Sequence, residues 1–217
     1  NHLEAMAAEM LGKEEAVLVA SGTMGNLIGV LVHCQRGEEV ILGSKSHIYR
    51  GEAGGVSVLG GVVMQVLPND DVGRLDLPQI EAAIHPVDSH YPTTRLVALE
   101  NTANSSGGAP LTPEYMYEVQ VIAKANGLKV HVDGARLFNA AVCLETPVDE
   151  LVKDADTVTF CLSKGLACPV GSVLCGDTES IKRARRLRKM LGAGMRQAGI
   201  IAAPGIVALD SMIGRLA

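Results

Sequence analysis

The sequence predicts an α/β protein, a three-layer α/β/α sandwich built on a mainly parallel sheet. Short apolar, β-rich runs alternate with helical patterns along the whole chain. Turn residues bound the runs, and helices separate them, which implies a sheet covered on both faces. The 217 residues, 47% of them hydrophobic and 20% charged, are enough for one sizeable core or for the large domain of a longer protein.

The elements follow in order. Residues 1–12 carry Leu3, Met6, Ala7, Met10 and Leu11 at helical spacing, and Gly12 stops the helix. Residues 16–20 are an apolar strand. A polar, glycine-rich turn over 21–26 opens an apolar helix that reaches about Cys34. Residues 39–42 form a strand and 48–59 a helix. A strand over 62–67 closes on Pro68-Asn69-Asp70-Asp71. Asp76 caps a helix that has Pro78 in its first turn and ends before Pro86. A strand over 95–99 precedes a helix over 112–126, capped at Thr112-Pro113 and ended by Gly127. Strands at 129–132, 157–162 and 172–175 follow, with a short helix at 149–153, a long one at 178–191 and a last helical pattern near Ala217. The chain opens inside a helical pattern without an initiator Met, so both ends read as cut. The expected unit is one large domain over 1–217, incomplete at both ends.

Composition excludes some functions. Net charge is −5, and no basic block interleaves with aromatic residues, so nucleic acid is not an expected partner. The cluster Lys182, Arg183, Arg185, Arg186, Arg188, Lys189 has the spacing of a solvated helix face. No apolar stretch is long enough to cross a membrane, and no signal peptide opens the chain. The five cysteines, Cys34, Cys143, Cys161, Cys168 and Cys175, form no CxxC pair and read as reduced thiols of a cytosol-like compartment. No metal-ligand spacing appears. Asn104-Ser105-Ser106 matches a glycosylation sequon by chance. With two Phe, four Tyr and no Trp, the core is aliphatic.

In parallel sheets ligands sit at the carboxyl ends of strands, so chemically capable residues should fall just after strands. Four motifs do. Ser21-Gly22-Thr23-Met24-Gly25-Asn26 joins a strand to a helix; its glycines admit an anion to the free N–H groups of the helix start, and Ser21 and Thr23 add hydroxyls. It is neither G-x-G-x-x-G nor a P-loop, and it suits a phosphate monoester. Ser46-His47-Ile48-Tyr49-Arg50 offers an imidazole that can stack on a flat ring. His131-Val132-Asp133-Gly134-Ala135-Arg136 ends a strand with a carboxylate that needs a partner, such as a protonated pyridine nitrogen. Arg136 could hold a carboxylate in a fork geometry. Phe160-Cys161-Leu162-Ser163-Lys164-Gly165 puts an amine directly after an apolar run, where it can lose its proton and act as a nucleophile. Taken singly, each motif has a bland reading: a capped turn, a helix-start histidine, an Asp–Arg pair, a surface lysine. Together they supply what pyridoxal 5′-phosphate (PLP) requires.

The stretches SGTMGN, SHIY, ENT, HVDGARLFNA, LSKGL and RKMLGAGMRQAG resemble the low-specificity L-threonine aldolases, which are PLP enzymes of the aspartate-aminotransferase fold, fold type I. The resemblance implies that Lys164 is the Schiff-base lysine, that Asp133 faces the ring nitrogen and that His47 stacks on the ring. It implies that Ser21, Gly22 and Thr23 hold the phosphate. Arg136 would lie near the substrate carboxylate or ring hydroxyl, with Lys189 and Arg196 as further substrate-side cations that reach toward a neighbouring subunit. The implied protein is a cytoplasmic homodimer or homotetramer that cleaves threonine or allo-threonine to glycine and an aldehyde. Three departures stand out. Ala103 occupies the place of a family histidine after Glu100-Asn101-Thr102, and the family's N-terminal segment and C-terminal small domain are missing. The alternatives are another PLP lyase or aminotransferase, a catalytically impaired aldolase homologue, or an α/β protein that binds a small molecule without PLP.

Overall fold

The computed structural model describes residues 2–217. Its centre is a seven-stranded sheet in the order β1-β7-β6-β5-β4-β2-β3. The strands are β1 (Glu15–Val19), β2 (Glu39–Gly43), β3 (Val63–Leu67), β4 (Thr94–Glu100), β5 (Lys129–Gly134), β6 (Thr157–Cys161) and β7 (Ser172–Gly176). Neighbours from β3 through β6 pair in parallel, and β7 runs antiparallel to both β6 and β1. The mainly parallel sheet expected from the sequence is therefore present. The carboxyl ends of β1, β2, β4, β5 and β6 share one edge.

Helices cover both faces. They are α1 (His2–Met10), α2 (Gly22–Leu31), α3 (His47–Arg50), α4 (Gly55–Gly60), α5 (Leu77–Ala83), α6 (Pro113–Ala125), α7 (Leu137–Cys143), α8 (Val148–Val152), α9 (Thr178–Met190) and α10 (Gly199–Ser211). One face packs Val97, Val130, Val132, Val158 and Phe160 against Leu3, Met116, Val119 and Leu151 in one continuous core. The opposite face, under α2, α4 and α9, is divided. Val40, Leu42, Leu96 and Ala98 form one apolar cluster with Leu27 and Val30. Val17, Val19 and Leu174 form another with Ile28 and Ile181.

The period of two along a strand explains the division. On this face β5 presents His131 and Asp133, and β6 presents Thr157 and Thr159, all buried. A polar stripe thus separates the two apolar clusters, and its donors and acceptors must find partners inside the protein.

Helix α2 lies over that stripe because its lower side has almost no side chains. A Cβ at Gly22 would sit 2.8 Å from Cys161 Sγ, one at Gly25 2.5 Å from Thr159 Cγ2, and one at Gly29 2.2 Å from His131 Cε1. These positions, three and four apart, form one helical stripe.

Several local expectations are corrected. The helix expected over 48–59 is two, α3 and α4, because Ala53 (φ 53°) and Gly54 (φ 68°) are left-handed and interrupt it. Helix α2 ends at Leu31, with Val32 as C-cap, rather than at Cys34. Asp76 holds the N-cap position of α5, but its side chain makes no capping hydrogen bond. Helix α7 was not anticipated: it is one short run directly after β5, and Arg136 precedes it without a side-chain cap. Asn1, the first residue of the expected 1–12 helix, lies outside the described residues.

Candidate functional site

At the shared strand edge a cleft of about 390 Å³ is lined by Ser21, Gly22, Thr23, Asn26, His47, Asp133, Ala135, Cys161, Ser163 and Lys164, together with Pro169, Val170 and Gly171. Four separate sequence motifs meet there. Ser21 caps α2, its Oγ accepting from the N–H of Met24 at 3.2 Å. The N–H groups of Gly22 and Thr23 stand in the first turn, where no intrahelical acceptor exists. Ser46 caps α3 in the same way. Glu100, at the end of β4, accepts from the His47 backbone N–H at 2.8 Å and from the Asn104 N–H at 3.0 Å. Burial raises the Glu100 carboxyl above its ordinary value. Lys164 is exposed, in the turn that leaves β6.

Asp133 is 2% exposed. Its Oδ2 accepts from Asn26 Nδ2 at 2.8 Å and its Oδ1 from the Ala135 N–H at 3.1 Å. Burial pushes its pKa up, while the Asn26 amide and the neighbouring His47 and Lys164 pull it down. Among the described residues no cationic side chain bonds to it, and its partners there are neutral donors.

Asn26 is 1% exposed and carries more than one bond. Its Nδ2 also donates to Glu52 Oε1 at 2.8 Å. Glu52 Oε1 lies 2.9 Å from His47 Nδ1, while Glu52 Oε2 is buried and has no hydrogen-bond partner among the described residues. Burial raises Glu52 to about 7, against the pull of Asn26 and His47. Behind Asn26, His131 Nε2 is 3.4 Å from Asn26 Oδ1, and Thr157 Oγ1 is 2.9 Å from both His131 Nδ1 and His33 Nε2. Burial lowers His131 to about 3 and His33 to about 4, so both rings are neutral near pH 7.

His47, Glu52 and Asp133 each offer a ligand atom, all within 4.8 Å of one another. The Asn26 N–H groups already point at both carboxylates, an arrangement that suits hydrogen bonding rather than a cation between them.

Ser21, Gly22, Thr23, His47, Asp133 and Lys164, singled out in the sequence, thus share one cleft. Arg136 is not among its lining residues; its guanidinium donates to Asn104 Oδ1 at 3.0 Å. Lys189 and Arg196 are also apart from it within this chain. Lys189 is exposed on α9, and Arg196 lines a second cavity with His2, Leu3 and Arg188. Ala103 does not face the cleft. It is 6% exposed and so close under the 69–75 loop that a Cβ at Gly73 would lie 2.3 Å from its methyl. Sequence reading missed Asn26, Glu52, Glu100 and His131. The glycine stripe of α2 and the polar alternation of His131-Val132-Asp133 and Thr157-Val158-Thr159 were the available signals.

Known proteins share this arrangement of elements. The beta-eliminating lyase family matches residues 1–217. The chain belongs to the beta-eliminating lyase family. Among relatives in it, the low-specificity L-threonine aldolase 1 of Arabidopsis thaliana is 52% identical over 217 residues, covering 99% of this chain and 61% of its own length. The low specificity L-threonine aldolase of Escherichia coli K12 is 46% identical over 216 residues, covering 100% of this chain and 64% of its own length. The chain therefore spans about three fifths of the curated relatives it matches. The structure of the Leishmania major threonine aldolase superposes with a TM-score of 0.84 at 24% identity, covering 98% of this chain and 63% of that one. The Streptomyces venezuelae protein DesV, solved with a ketimine intermediate, superposes with a TM-score of 0.73 at 21% identity, covering 98% of this chain and 56% of that one. The fold is the one these two structures share. No helix among the described residues is long and apolar enough to cross a membrane.

Proposed function

We propose that this beta-eliminating lyase family member is a PLP-dependent carbon–carbon lyase that cleaves threonine or allo-threonine to glycine and an aldehyde. The observation that carries the reading is one cleft lined by a lysine amine, a helix N-terminus, an imidazole and a buried carboxylate without a cationic partner.

The residues fit the cofactor. A buried carboxylate held only by neutral donors is suited to a cationic N–H, which the protonated ring nitrogen of PLP offers. Gly22 and Thr23 line the cleft at the first turn of α2, where their backbone N–H groups can meet a phosphate. Bound PLP would supply an aldehyde for condensation with an amine and a ring that accepts the electron pair released at Cα.

In this reading Ser21, Gly22 and Thr23 bind the phosphate, Asp133 holds the proton on the ring nitrogen, and His47 lies against the ring. Lys164 supplies the amine that a substrate amino group displaces. Arg136 pairs with the substrate carboxylate, and so fixes which bond at Cα stands perpendicular to the ring. Lys189 and Arg196 lie outside this cleft and would act across a subunit boundary of a homodimer or homotetramer. Ala103 handles no proton, and His47, backed by Glu52, is the imidazole present to accept the β-hydroxyl proton. Five free cysteines, four of them buried, suit a reducing compartment such as the cytoplasm.

The experiment is to load the full chain with PLP and supply L-threonine and L-allo-threonine. Glycine and acetaldehyde in equal amounts are expected. An α-keto acid without acetaldehyde would replace this reading by transamination or β-elimination, and a protein that gains no visible absorption with PLP would end it. Analytical ultracentrifugation of the same sample tests the oligomer.

A further inference from the structure

We infer that Asn26 is a positioning residue that locks the two buried carboxyl groups, Glu52 and Asp133, into one unit and through Glu52 fixes the tautomer of His47. The inference rests on the proposed function for its purpose, but its geometry belongs to the cofactor-free protein.

The bond directions leave little freedom. A carboxamide has one acceptor oxygen and one donor nitrogen with two hydrogens. Asn26 Nδ2 faces Glu52 Oε1 and Asp133 Oδ2, each at 2.8 Å, so both hydrogens are used. The flipped amide would turn its oxygen against two carboxyl groups, which is repulsive. Asn26 Oδ1 must therefore accept, and His131, a neutral ring, must carry its hydrogen on Nε2. His131 Nδ1 is then an acceptor for the Thr157 hydroxyl. That hydroxyl, having given its hydrogen away, accepts from His33 Nε2–H. From His33 to the carboxylates every donor points toward the cleft.

This chain ends on Glu52 with one vacancy. Its Oε1 already accepts one Asn26 hydrogen and lies 2.9 Å from His47 Nδ1, while its Oε2 has no partner. A carboxylate supported on one oxygen draws the His47 hydrogen to Nδ1. That leaves Nε2, which has no hydrogen-bond partner among the described residues, as the acceptor of His47. Fixing the tautomer this way follows the general rule that the bond at one ring nitrogen decides the state of the other. The Gly51 backbone supports the same placement, since a Cβ there would lie 2.7 Å from His47 Cδ2 and Nε2.

The reach of Asn26 depends on the glycine stripe of α2. Gly25 and Gly29 flank Asn26 on the helix surface and let it descend onto Thr159 and His131. A bulkier helix would hold the amide too far from both carboxyl groups.

The test uses two variants and two readouts in the full chain. Asn26→Asp keeps the shape, removes the two donor hydrogens and adds a third carboxyl group. Asn26→Ser removes them without adding charge, so the inference stays testable if the first variant folds poorly. Histidine ¹⁵N chemical shifts in the cofactor-free protein report tautomers directly. The wild type should show His47 protonated at Nδ1 and His131 at Nε2, with His47 losing its single tautomer in either variant. PLP titration by absorbance should show affinity weakened roughly tenfold or more, the loss expected when a buried charge-assisted hydrogen bond is removed. Unchanged His47 shifts in a folded variant, or a wild-type His47 protonated at Nε2, would overturn the inference. If the wild type takes up no PLP, the proposed function fails, and the tautomer readout still decides the role of Asn26.

Discussion

Lys164 and Asp133 were legible in the sequence because one lies in the turn that leaves a strand and the other near a strand's end, and such residues in a parallel sheet lie at the ligand edge. The proposed roles lead to a direct expectation. In Lys164→Ala the loaded protein should lose the visible absorption of a cofactor joined to the enzyme's own amine, while far-ultraviolet circular dichroism stays unchanged, because Lys164 is exposed and bears no packing. Retention of that band in the variant would remove Lys164 from the proposed chemistry. Asn26 and Glu52 were not legible, for a physical reason. Glu52 lies in the irregular turn between α3, capped at Gly51, and α4, beside left-handed Ala53 and Gly54. Read as part of one continuous helix over 48–59, it has no reason to turn inward. The meaning of Asn26 lies in two carboxyl groups that are 26 and 107 residues away along the chain.

At the scale of the element, the strands and most helices were readable from periodicity and turn signals, whereas α3 and α4 read as one helix and α7, which follows β5 without a side-chain cap, was missed. Helix α2 shows how the sequence of one element can encode a contact with another. Glycine inside a helix costs about 1 kcal/mol relative to alanine, so a stripe of three needs a return. The return is close approach to β5 and β6. Gly29→Ala should therefore destabilise the protein despite better helix propensity. Its methyl would fall 2.2 Å from His131 Cε1 in a ring held from both sides. Overpacking of that kind costs roughly 1–3 kcal/mol, which outweighs the propensity gain. Gly199→Ala in α10 is the contrast, since nothing lies within 4 Å of the added carbon, and no loss is expected. Urea midpoints compare the two. A Gly29→Ala protein as stable as the wild type would show that α2 can lift off the sheet without penalty.

At the scale of the whole molecule, the three-layer plan does two things at once. One side of the sheet is a continuous apolar core that holds the fold. The other carries a polar stripe from half-buried His33 to Asp133 that serves the cleft and separates two smaller apolar clusters. Burying neutral imidazoles has a consequence for stability in acid, which His33 makes measurable. Burial is the main cause that lowers its pKa from 6.5 to about 4; Asp156 and Asp177 oppose this, and Lys129 and Arg183 reinforce it. Between those values the unfolded chain binds a proton that the folded protein does not, so stability falls as pH falls through the window. The slope for one such group is at most about 1.4 kcal/mol per pH unit, reduced by whatever solvent reaches the ring. Raised carboxyl groups elsewhere, Glu52 among them, act in the opposite sense, so the total curve mixes signs and only a difference isolates His33. In His33→Gln, whose amide can still donate to Thr157, the wild type should lose stability relative to the variant by roughly 2 kcal/mol as pH falls from 6.5 to 4.5. Above pH 7 the difference between the two should be constant. Urea unfolding at four or five pH values gives both curves. Parallel curves across the acid window would mean that His33 takes up its proton in the folded protein as readily as in the unfolded chain, and that the stripe is open to water at that end.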